Sequence, residues 1–379
     1  MWTRDRFVVP ALGLGQVVAF ASSYYLLGVL ADPIAAAFAV PSATIFAALS
    51  VAFLVSAILT PLAGRWTERH GGRPVLAGSN IAFAAALCLM AAAPSAVVLW
   101  LGVAALGVGM GVGLYGTAFS VVVALRGDQA RPGITAVSLI GALGGAVGWP
   151  ISRFAVDIWD WRMACGLWAA THFLICLPLA LAVLPRQPTA RKTPHADPAP
   201  VLWDRRMIQL AILFAGAWTV ATAMGAHLPR LLADLGLSAS TAAIAAGLMA
   251  ASAIAARLFD LIVLRRSHPV WVARIGTLCH PMGAAGALIF APLIAVGQGL
   301  GNGLLSVASG VLPLHIFGPD RYAVRQALIL NPARYAQAAA PALFSLAVDG
   351  SPWVALALSS GLCLVMFAAT WGLVTPRRR

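Results

Sequence analysis

The chain has 379 residues, 61% of them hydrophobic and 10% charged, with a formal net charge of +13 and a mean hydropathy of +0.89. Length alone allows two or three soluble domains, but apolar runs long enough for a bilayer helix, which needs about 20 residues, recur throughout. This excludes a soluble enzyme, and the lack of alternation within the runs favours spanning helices over barrel strands.

The charge is placed, not spread. Arg and Lys fall at 4 and 6, between 65 and 73, at 126 and 131, between 186 and 206, between 257 and 274, at 321 and 325, and at 377–379, whereas the intervening alternate loops carry only Arg153, Arg162 and Arg230. That asymmetry is the positive-inside pattern. It puts both termini in the cytoplasm with an even number of spans, makes the lipid bilayer the partner and excludes nucleic acid. A single Lys among many Arg and Ala suggests a GC-rich bacterial genome, hence a multi-pass protein of the bacterial inner (plasma) membrane. Five cysteines scattered through apolar segments form neither a disulfide framework nor a zinc site. No cofactor or metal is expected.

The first predicted span, 7–31, is too long for a signal peptide's apolar region. It carries Gln16, Ser22, Ser23, Tyr24 and Tyr25, and Gln16, Ser23 and Tyr24 share one broad helical face. Asp32 closes it at the outer surface. The second span, 41–63, leads into Gly64-Arg65-Trp66-Thr67-Glu68-Arg69-His70-Gly71-Gly72-Arg73, a charged island between two apolar runs that reads as a solvated turn, with glycines where the backbone bends sharply. The third span is 74–93.

The island's pattern, Gly-x-x-x-acid-Arg-x-Gly-x-Arg, resembles the signature between the second and third helices of the major facilitator superfamily of secondary transporters. Gly64, Glu68, Arg69, Gly71 and Arg73 match, with Glu where the family more often has Asp. The resemblance implies an all-α, polytopic membrane protein of twelve transmembrane helices in two six-helix bundles, working by alternating access. It implies that the island gates the cytoplasmic side, that helices 1, 4, 7 and 10 line the cavity, and that the protein acts as a monomer.

The fourth span, 97–124, contains Tyr115 and Gly111-Val112-Gly113-Leu114-Tyr115-Gly116. These letters match a dinucleotide fingerprint but lack the preceding strand and the acidic partner it requires; small residues here let helices approach closely. The fifth span, 134–154, departs from the superfamily's antiporter pattern. Gly145 and Pro150 fit it, but Trp149, Arg153 and Phe154 stand where glycines belong, so the motif assigns no direction of transport. The sixth, 162–184, carries His172, expected to be a packed histidine. A Pro-, Ala- and charge-rich interval then reads as a flexible linker. It divides the chain into an N-terminal bundle, 1–185, the linker, 186–206, and a C-terminal bundle, 207–379.

The seventh span, 207–232, supplies Trp218, Thr222 and His227; the eighth, 238–263, supplies Arg257 and Asp260, three residues apart and able to pair as a brace or gate. The ninth, 270–290, holds His280, again a packing histidine. The tenth, 293–316, supplies Asn302 and Ser306; beyond it, His315 and Asp320 have an acyltransferase-like spacing that carries no catalytic signal at a helix end and turn. In the eleventh, 326–348, Arg334 lies about 12 Å along the axis from the helix start, too deep for an easy reach to water. No acid in that span can neutralise it, so a substrate anion, an acid from another helix or a brace to carbonyls must. The twelfth span is 353–375. The halves echo each other: Gly107–Gly109 answers Gly301–Gly303, and Pro150 answers Pro341.

Gln16, Tyr24, Tyr115, Trp218, Thr222, His227, Asn302 and Arg334 are the candidate substrate-binding residues; Gly64, Glu68, Arg69, Gly71, Arg73, Arg257 and Asp260 are the candidate gating residues. With one Glu and eleven Asp in the chain, and only Asp260 clearly inside a span, His227 is the candidate for coupling to protons. The chain reads as a transporter, not an enzyme, of a small organic solute, first an organic anion. Efflux of a neutral or toxic compound, a drug or a trivalent arsenical, is the alternative.

Overall fold

The computed structural model describes residues 5–186 and 201–373. Most of the predicted linker, and the basic residues at 4, 191, 192 and 377–379, lie outside the described residues. No strand occurs among those described. The chain divides into two compact units, one formed by Met1–Val201 with Arg321–Leu328, the other by Leu202–Asp320 with Ile329–Arg379.

The first unit contains α1 (Asp5–Ala21), α2 (Leu27–Phe38), α3 (Ser42–His70), α4 (Gly72–Ala91), α5 (Ala96–Gly113), α6 (Tyr115–Arg126), α7 (Arg131–Gly141), α8 (Gly144–Ile158), α9 (Trp161–Thr171) and α10 (Leu177–Val183). The second contains α11 (Arg205–Asp234), α12 (Ala239–Ile262), α13 (Pro269–Gly286), α14 (Leu293–Phe317) and α16 (Pro352–Ala369), while α15 (Tyr322–Gly350) starts in the first unit and runs on in the second. Eight helical stretches among the described residues are long and apolar enough to cross a membrane, one of them the run Ala96–Ile158 that holds two predicted spans.

Each predicted span meets helix, but four of them are broken. The first is interrupted by a turn at 22–26 and the fourth by extended backbone at Leu114. The fifth breaks at 142–143, and the sixth passes through a π-turn, His172–Cys176. The charged island is a second difference. It is no loop: Gly64–His70 are the final turns of α3, and only Gly71, at φ 79°, interrupts the path into α4. One residue with positive φ suffices to reverse the chain when two helices project past the apolar zone. Helix starts are capped where the sequence offers short polar acceptors. Asp160 accepts from Met163 N–H at 2.8 Å, Asp204 from Met207 N–H at 2.8 Å and Ser238 from Thr241 N–H at 3.3 Å.

Small residues set the packing inside both units. A Cβ on Gly107 of α5 would collide with the Ala52 carbonyl of α3, and one on Gly303 of α14 would lie 2.5 Å from the Ala253 carbonyl of α12. The predicted echo is therefore a shared packing device, backbone laid against backbone.

Candidate functional site

In the second unit three side chains form a hydrogen-bonded chain. Arg334 on α15 donates from a terminal guanidinium nitrogen to Gln337 Oε1 at 3.1 Å, and Gln337 Nε2 donates to Thr222 Oγ1 on α11 at 3.3 Å. Gln337 is 1% exposed and Thr222 6%. Because α15 begins at Tyr322, four residues before the predicted span, Arg334 lies about 18 Å along the axis from the helix start. The i, i+3 spacing puts Gln337 one turn beyond the cation, where it fixes the direction of the guanidinium. On the same pair of helices, His227 Nε2 donates to the Pro341 carbonyl at 2.9 Å. That bond places the ring proton on Nε2 and leaves Nδ1 as the basic nitrogen. Trp218 on α11 and Asn302 on α14 are half-buried.

The first unit places its candidates differently. Gln16 is 2% exposed and donates from Nε2 to the Gly113 carbonyl at 2.9 Å, across the break between α5 and α6. Tyr115 stacks on Phe119 and donates its hydroxyl to the Ser138 carbonyl at 3.2 Å. Tyr24 lies in the 22–26 turn, edge-on to Phe53 and Tyr25. Gln16 and Tyr115 are thus engaged with backbone carbonyls freed or bent by broken helices.

The gating candidates of the first unit lie at the end of α3 and the start of α4. Glu68 accepts from Val324 N–H at 3.2 Å and lies 3.6 Å from Arg321 Nε, so its carboxylate holds the start of α15. Gly64 allows that approach, since a Cβ there would lie 2.7 Å from both the Ala323 carbonyl and Ala327 Cβ. Arg73 donates to the Leu181 carbonyl, and Arg69 is exposed. Arg257 and Asp260 are both buried on α12, with Arg257 donating to the Ala253 carbonyl at 3.0 Å.

His172, His280, His268 and His315 each contact a side chain of another element. His172 lies between Ser22 and Asn80, at 2.8 Å from each, and stacks on Phe83; His280 meets Ser359 at 2.9 Å. His315 contacts His268 at 3.1 Å. Asp32, expected to end a helix, is an exposed residue inside α2 that accepts from Ser42 at 2.7 Å. Two arginines that the sequence left unassigned hold helix ends. Arg162 donates to the Ala91 and Ala93 carbonyls at 2.8 Å and lies over Trp161; Arg274 donates to Thr370 Oγ1 at 3.1 Å and lies over Trp271. The signal was an Arg beside a Trp at the start of a helix, recognisable only once the facing helix end is known. Among the described residues, no group of three or more His, Cys, Asp or Glu could hold a metal ion.

A family model described as Major Facilitator Superfamily matches residues 12–297. Among solved structures the chain is similar to the human organic anion transporter MFSD10 (TETRAN), with a TM-score of 0.75, 16% identity and coverage of 97% of this chain and 99% of that one. It is similar to a bacterial homologue of the iron transporter ferroportin in an outward-facing state, with a TM-score of 0.77, 16% identity and coverage of 97% and 99%. The E. coli fucose:proton symporter FucP gives a TM-score of 0.72, 15% identity and coverage of 98% and 99%. At these identities the likeness is one of fold. No curated protein matches the sequence.

Proposed function

Since the chain belongs to the Major Facilitator Superfamily, and is therefore a multi-pass membrane carrier of small solutes, we propose that its solute is a small organic anion bound at Arg334. The observation that carries this is the cation deep in α15, oriented by a buried amide that is itself tied to Thr222. A guanidinium is costly to keep in a span without an anion or convergent acceptors, and Gln337 orients this one from one turn further along α15. The likeness to a human organic anion transporter agrees with this reading but is too distant to carry it.

In this reading Trp218, Thr222, His227 and Asn302 contribute from the second unit, to which Arg334 itself belongs. The two bundles, divided at 186–206, alternate in access, with both termini in the cytoplasm of a bacterial cell and the monomer as the working unit. His227, with Nδ1 as its basic nitrogen, is the proton carrier, and Glu68 with its neighbours forms the gate. The runner-up, efflux of a neutral or toxic compound, draws support from the aromatic and amide character of these same side chains.

The test is transport into proteoliposomes holding a pH-sensitive dye, with a panel of small carboxylates offered to wild type and to Arg334→Ala. We expect carboxylate uptake with proton movement in the wild type and a loss of about 100-fold in the variant, the effect of stranding a carboxylate without its partner. Uptake without a proton signal removes His227 from the mechanism but keeps the anion site. No carboxylate transport by active wild type overturns the anion reading in favour of efflux.

A further inference from the structure

The other side of the Gln16 amide points to an ion. A carbonyl can only accept, so the Gly113 oxygen fixes Nε2 toward itself and turns Oε1 away. That Oε1 is buried without a hydrogen-bond partner, on a side chain 2% exposed. Gln16 lines a cavity of about 30 Å³ together with Ser79, Asn80, Phe83, Gly113 and Cys176. This is room for one water-sized particle.

The polar lining offers oxygens. The Ser79 hydroxyl donates to the Leu76 carbonyl at 2.8 Å, and Asn80 Nδ2 donates to the same carbonyl at 2.9 Å. Asn80 Oδ1 faces His172 Nδ1 at 2.8 Å. Ser79 Oγ presses so closely on α5 that a Cβ on Gly113 would lie 2.5 Å from it, so Ser79 and Gly113 are neighbours on the wall of the cavity that Gln16 also lines. Gly113 is the last residue of α5, with extended backbone following at Leu114, and the carbonyl end of a helix carries partial negative charge. Interrupted spans whose carbonyl ends meet side-chain oxygens are the usual alkali-cation sites of secondary transporters.

We propose that this cavity is a binding site for a monovalent alkali cation, with Na⁺ as the fitting size, coordinated by Gln16 Oε1, Ser79 Oγ and the Gly113 carbonyl. Neutral oxygen ligands suit a single charge; a divalent ion of this hardness would call for carboxylates. The site sits inside the first unit, where the sequence offers no membrane-embedded acid, and supplies a coupling ion other than the proton. That coupling role rests on the transporter reading, whereas binding does not.

Binding is therefore read without any solute. Full-length protein in nanodiscs is unfolded thermally in NaCl, KCl or choline chloride at equal ionic strength. We expect Na⁺ to raise Tm progressively with the logarithm of its concentration, choline to have no such effect, and the Na⁺-specific rise to disappear in Gln16→Leu. Ser79→Ala, which leaves the Gln16–Gly113 bond intact, is expected to shift the half-saturating Na⁺ concentration upward about tenfold or more and serves if Gln16→Leu fails to fold. An identical response to all three salts, or a wild-type Na⁺ response in Ser79→Ala, overturns the proposal and leaves the cavity to a water only. If Na⁺ binds but no carboxylate is transported, the site stands and the anion reading falls.

Discussion

Glu68 is the sole glutamate of the chain, and its two oxygens have separable uses. One accepts from the Val324 amide and the other faces Arg321. Glu68→Gln keeps an acceptor for the amide and loses the charge, whereas Glu68→Ala loses both. Transport initial rates should fall in the order wild type, Gln, Ala, with the alanine variant slower by about tenfold and still inserted, and a normal rate for Glu68→Ala would remove the gating role. Gly64→Ala forces α3 from the start of α15 and should cost about 1–3 kcal/mol in stability, as overpacking does, measurable by chemical denaturation in detergent. The match to the superfamily signature made Glu68 legible in the sequence, but its partner was not, because 256 residues separate it from Val324. Gln337 beside Arg334 was legible at i+3; Thr222, on another helix, was legible as a polar residue in a span but not as the other end of that bond.

At the scale of the helix, the spans could be read and their interruptions could not. Hydrophobic length reports whether a stretch can cross a bilayer, and it is blind to a single extended residue such as Leu114, since Leu114 and its neighbours Gly113 and Tyr115 have the same hydropathy in either conformation. What repairs such a break is a side chain from elsewhere, Gln16 for the Gly113 carbonyl and Thr117 Oγ1, at 2.6 Å, for that of Val112. Helix ends obey a similar rule. Arg162 satisfies two carbonyls at the end of α4, where a cation also complements the helix dipole. Arg162→Ala should destabilise the protein by about 1–3 kcal/mol, given two charge-assisted bonds discounted for partial exposure. Arg162→Lys should recover only part of that, because an ammonium lacks the planar fork. Comparing Tm of the two variants checks this.

Across the whole molecule the chain forms two compact units. The assignment of Arg321–Leu328 to the first of them lay beyond reach of the sequence, because a helix's membership depends on what it packs against and α15 is continuous through Leu328. A fragment ending at residue 201 therefore lacks a piece of the first unit. A cysteine placed at position 68 should react faster with a water-soluble maleimide in such a fragment than in the full chain, and equal rates would argue that the contact adds no protection.

The same segment imposes a delay on biosynthesis. Chains grow at about 5–20 residues per second, so the Val324 amide leaves the ribosome roughly 13–50 s after Glu68, given that growth rate. For that interval the first unit is threaded into the membrane with its signature helix end unclasped. A nascent chain stalled just short of residue 321 would present to a membrane protease a first unit that looks finished by length and is not.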